Sequence, residues 1–139
     1  MKRGLTNVRW LSLLCLLALS SCHRKQTFEE RMLEEIAAFN QREVPKRMDE
    51  VTVMDSLRYE PESRSIAYFY TLEGLADNDS VLTEELRDQQ REGLLGNLRG
   101  SIQLKPYKEQ GLSFEYCYYS HKSGKLLMRF AFTADDYNQ

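Results

Sequence analysis

Histidine and cysteine, the side chains from which most metal centres and many nucleophilic sites are built, are scarce in this 139-residue chain: there are two of the first and three of the second. His23 and His121 stand far apart, and neither falls in a metal-ligand spacing. Asp77-Asn78-Asp79 is similar to the start of a calcium loop, but the glycine and late glutamate of such a loop are missing. We therefore expect no metal and no other cofactor. No G-x-S-x-G elbow and no glycine-rich phosphate loop occur; Gly124-Lys125 lacks the preceding glycine spacing and the following Ser or Thr. Clustered Lys and Arg are absent too, which argues against nucleic acid as a partner. No apolar run approaches the roughly 20 residues needed to span a bilayer.

What is present begins with an asymmetric amino terminus. Lys2, Arg3 and Arg9 precede the apolar run Trp10–Leu19, and no acid occurs before Glu29. A basic segment followed by about ten apolar residues is the pattern of an export signal. The run ends in Leu19-Ser20-Ser21-Cys22, an aliphatic residue, two small ones and a cysteine. This segment resembles the lipobox of bacterial lipoproteins. The resemblance covers residues 1–22 and implies that residues 1–21 are a removable signal and that Cys22 carries diacylglycerol as the mature first residue. Residues 22–26 then form a tether that spans at most about 18 Å when extended, with His23, Arg24 and Lys25 beside the lipid headgroups. The residue after Cys22 is not Asp, so we expect the outer membrane, facing the periplasm.

Without residues 1–21, 16 basic side chains face 21 acidic ones. On that resemblance Cys15 leaves with the signal and Cys22 is acylated, so Cys117 is expected to be a lone thiol with no internal disulfide. Residues 27–139 are enough for one domain with its own core.

The spacing of Phe28, Met32, Ile36 and Phe39 predicts a helix over 27–40, opened by a capping box of Thr27 and Glu30. Pro45 should stop it. Residues 51–59 alternate as a strand, with Val51, Val53, Leu57 and Tyr59 on one face and Thr52, Met54, Ser56 and Arg58 on the other. A turn at 60–63 leads to a second strand, 65–72. A second helix is expected over Thr83–Leu98, with fraying or a kink at Gly93, Gly96 and Gly100. Strands at 112–119 and 125–133 follow, joined by a turn whose Gly124 suits positive φ. The tail from Ala134 reads as short and polar.

The expected fold class is α+β: a four-stranded antiparallel sheet with two helices on one face, in helix-hairpin-helix-hairpin order. In layout alone, with no motif to carry it further, this plan resembles small periplasmic inhibitor and PepSY-like domains. The other sheet face collects Met54, Arg58, Phe69, Cys117, Tyr119, Leu127 and Arg129. Aromatic and arginine side chains of this kind make up binding surfaces. Met54, Arg58, Phe69, Tyr119, Leu127 and Arg129 are therefore the candidate contacts for a protein or peptide partner. A hydrolase or thiol enzyme using Cys117 or His121 is the alternative, and a self-associating structural lipoprotein is a third reading.

Overall fold

A computed structural model describes residues 25–139. The signal, Cys15, Cys22, His23 and Arg24 lie outside the described residues.

Helix α1 spans Phe28–Glu43. Its capping box forms as the sequence predicts: the Glu30 amide donates to Thr27 Oγ1 at 3.1 Å, and the Thr27 amide donates to Glu30 Oε2 at 2.8 Å. The chain then forms β1 (Lys46–Arg47), β2 (Thr52–Glu60) and β3 (Ser65–Leu72). Helix α2 (Glu84–Gly100) is followed by a short α3 (Lys105–Glu109), then β4 (Ser113–Ser120), β5 (Leu126–Phe132) and α4 (Ala134–Tyr137). The five strands lie in the order β1-β2-β3-β4-β5.

The layer is α+β, but the antiparallel four-stranded sheet is corrected in two ways. A two-residue edge strand, β1, is added, and β3 runs parallel to β4. The cause is the intervening helix. At 1.5 Å per residue the 17 residues of α2 extend about 25 Å. The eight residues of β3 extend a similar distance. The helix thus returns the chain to the end where β3 began, and β4 must run alongside β3 in the same direction. The register is unbroken from Ser65 opposite Ser113 to Leu72 opposite Ser120.

One face of the sheet carries the core. Phe114, Phe132, Met32, Leu98 and Leu112 are essentially sealed from solvent. Large apolar side chains buried this way stabilise by about 1.5–3 kcal/mol each. The centre of this face is a double row of tyrosines from the parallel pair: Tyr68 stacks on Tyr116 and Tyr70 on Tyr118, each with ring centroids 4.9 Å apart. Helix α1 is tied to β2 by Asn40, whose amide donates to the Leu57 carbonyl at 2.7 Å and accepts from the Leu57 amide at 2.8 Å. It satisfies the backbone of β2 beyond the reach of the short β1.

Two further expectations are corrected. Helix α2 continues through Gly93 and Gly96 to Gly100 without a break, since its apolar stripe and the Thr83 cap hold it. The tail is not simply polar. Tyr137 is buried, meets Phe114 edge-on at 5.8 Å, and donates its hydroxyl to the Leu112 carbonyl at 2.8 Å. Gly124 does take positive φ, at 66°.

The described residues, 25–139, contain the five-stranded sheet, the helices packed on it and this core, and among them no sealed side-chain polar atom is left unpaired. That fragment is expected to unfold in one cooperative transition. A Cβ at Gly93 or Gly96 would meet nothing within 4 Å. Gly93→Ala and Gly96→Ala should therefore each raise stability by about 0.5–1 kcal/mol, measured by urea denaturation; a loss of stability would show that the bare helix positions serve a contact.

Candidate functional site

The face of the sheet opposite the helices is built from alternate residues of four strands. From β2 come Ser56 and Arg58, from β3 Ala67 and Phe69, from β4 Glu115, Cys117 and Tyr119, and from β5 Arg129. The pairing places Ser56 opposite Phe69, Phe69 opposite Cys117, and Cys117 opposite Arg129, so these residues run as one row across the sheet.

Four of the six candidates from sequence come together here. The Arg58 guanidinium lies over the Phe69 ring, 4.8 Å from its centroid, a cation–π contact. Phe69 and Tyr119 stack with centroids 6.3 Å apart. Arg129 donates to Glu115 Oε2 at 2.6 and 3.1 Å, from Nη2 and Nε. This carboxylate further stabilises the charged form of Arg129. Ala67 and Cys117 are small and buried, while larger side chains stand around them. The result is an open, shallow hollow of about 400 Å³ edged by Phe69, Tyr119, Leu126, Glu115 and Arg129.

Met54 and Leu127 do not belong to this face. Met54 is 5% exposed and sits in the core opposite Tyr70. Leu127 packs against the core, and its carbonyl accepts from Arg87 Nη1 at 2.8 Å. Both errors have the same physical origin. The β2–β3 register shifts between Met54 and Ser56, and the β4–β5 register shifts between Tyr118 and Tyr119. Each bulge inserts an extra residue, Asp55 in β2 and Leu127 in β5, and strict alternation reverses on passing it. Val53 therefore joins the open face, opposite Thr71, and Leu126 takes the place expected for Leu127, opposite Tyr119. Leu126 is about half exposed. No turn residue marks either bulge, so strand alternation alone does not reveal them.

Cys117 and His121 are not brought together. Burial pushes the Cys117 thiol up from its usual range, partly opposed by the Arg129 charge. A thiol held in that way is a poor nucleophile. His121 is exposed in the β4–β5 turn, with Nδ1 3.9 Å from Glu73 Oε1. Among the described residues no cluster of three or more His, Cys, Asp or Glu could hold a metal.

The Asp77-Asn78-Asp79 segment serves as a joint. Asp77 is buried and accepts from the Lys122 amide at 2.9 Å. Asn78 accepts from the Ser80 amide, and Asp79 pairs with Arg87 at 2.8 Å. A hydrogen bond with Ser120, aided by the Lys122 amide, lowers the Asp77 carboxyl below the ordinary aspartate range. A group lowered on folding adds stability that is fully present above its unfolded pKa, about 3.9, and is lost as pH falls through the lower folded value. Asp77→Asn should therefore shrink the loss of stability below about pH 4, measured by thermal melts from pH 7 to pH 2; an unchanged acid limb would show that this carboxylate does not join the loop to the turn.

No curated protein sequence matches the chain. A crystal structure described as that of a "putative secreted protein" from Pseudomonas aeruginosa is similar in fold, with a TM-score of 0.64 and 14% sequence identity, over 76% of this chain and 89% of that one. No described helix is long and apolar enough to cross a membrane. The family described as domain of unknown function DUF8479 matches residues 27–128, the stretch from the α1 cap into β5, and the chain belongs to that family.

Proposed function

We propose that this protein is exported and lipid-anchored through Cys22, and that its folded domain is a non-catalytic binding module engaging a protein or peptide through the open sheet face. The group of Arg58, Phe69, Tyr119, Leu126 and Arg129 beside the Ala67–Cys117 hollow carries the reading. It sets an arginine-backed aromatic pair on a sheet face that no described helix covers. Interfaces draw most of their binding energy from residues of these kinds.

The anchoring rests on the basic and apolar amino terminus and on Leu19-Ser20-Ser21-Cys22. Helix α1 begins at Phe28, so only a few residues separate the lipid from the domain. The domain then sits close to the membrane surface, with the outer membrane facing the periplasm as the proposed location. The fold shared with a protein described as secreted accords with export. The buried, unpaired Cys117 and the exposed His121 support a binding role over a hydrolytic or thiol-based one.

Affinity capture from the native envelope tests the site. A partner recovered with the wild type should be lost with the Phe69→Ala, Tyr119→Ala double variant, which leaves the core face intact. Recovery of the same proteins with both would place the site elsewhere. The anchor is tested separately: Cys22→Ser should remove the acyl mass from the mature protein, and an unchanged mass would refute lipidation at that residue.

A further inference from the structure

The helical face holds a second concave site, independent of the open face. Helix α1 is held over β2 by Asn40, and α2 is held toward β4 and β5 by Arg87, Gln90 and Leu98. Between the two helices the middle of the sheet is only partly filled. Two hollows of about 410 and 580 Å³ lie in this gap, and both are bordered by Met48 and Tyr70. Each is within the range of small-molecule sites.

The floor is the tyrosine double row. Tyr118 accepts from Gln90 Nε2 at 3.0 Å. Among the described residues the hydroxyls of Tyr68, Tyr70 and Tyr116 have no protein partner. Tyr70 and Tyr116 are only 8% and 7% exposed. Yet no sealed side-chain polar atom lacks a partner, so these hydroxyls open into the gap. Burial pushes all three phenols up, Tyr116 to about 12, so they remain neutral and able to donate at physiological pH. The surrounding walls are mostly apolar, with Phe39, Met54, Leu72, Leu82 and Leu94 among them. Open to the gap, these hydroxyls are left to solvent, and an acceptor bound there would take their hydrogen bonds in place of water. The charged side chains that border the two hollows, Glu35, Lys46 and Asp49, are all exposed rather than set among the buried tyrosines, which disfavours a charged group at that depth.

We infer that the groove between α1 and α2 binds an uncharged amphiphile, an apolar body whose carbonyl or ether oxygens accept hydrogen bonds from Tyr70 and Tyr116.

Nile red, a neutral fused-ring dye with a carbonyl oxygen, is a suitable probe. Titrated against residues 25–139, it should show saturable one-to-one binding with blue-shifted emission. Tyr70→Phe with Tyr116→Phe keeps both rings and their stacking but removes the hydroxyls, and should weaken binding by about ten- to thirtyfold. Leu94→Trp, which narrows the groove without touching a hydroxyl, should weaken it too. The Phe69→Ala, Tyr119→Ala variant should bind as wild type, which separates this site from the open face. Thermal melts establish that each variant is folded. Absence of saturable binding by wild type, equal binding by the hydroxyl-free variant, or loss of binding in the open-face variant would overturn the inference.

Discussion

The parallel, in-register pairing of β3 with β4 is the constraint on which both faces of this protein depend. It is imposed by α2, whose length matches that of a strand and which brings the chain back to the starting edge. With that pairing fixed, Tyr68 meets Tyr116 and Tyr70 meets Tyr118 on the helical side. On the other side Phe69 meets Cys117, and Thr71 meets Tyr119. A slip of β4 by one residue would send each of its side chains to the opposite face and break these pairs. The register therefore decides which aromatics form a buried ladder and which form an open surface.

Much of the fold was legible because it depends on local rules. The capping box at Thr27, the helical spacing of Phe28, Met32 and Ile36, and the second strand at 65–72 are each decided within a few residues, and all appear in the structure. The direction of β4 relative to β3 was also latent in the sequence, in the match between helix length and strand length. Two adjacent hairpins suggest an antiparallel junction only if the returning helix is ignored. The contribution of Tyr137 was hidden for a different reason. A single aromatic in a polar tail has no periodicity, and only the three-dimensional path places it against Phe114 and Leu112.

The candidate site was legible up to the two bulges. Arg58, Phe69, Tyr119 and Arg129 lie on the side of each strand that simple alternation assigns them. Met54 and Leu127 do not, because Asp55 and Leu127 are additional residues with no partner across the ladder. The bulges are not incidental to the architecture. One turns Met54 into the core opposite Tyr70, and the other turns Leu126 outward beside Tyr119. The groove between the helices was beyond sequence reasoning, since a tyrosine on an apolar face reads as core. Whether its hydroxyl finds a partner depends on how far apart the helices stand above it.

The most direct measurement of the central constraint is a set of inter-strand nuclear Overhauser contacts in the folded domain. The parallel register requires contacts linking Ile66 with Phe114, Tyr68 with Tyr116, and Tyr70 with Tyr118. Contacts running in the opposite sense, with Ile66 beside Ser120 and Leu72 beside Phe114, would contradict it and dissolve both surfaces together.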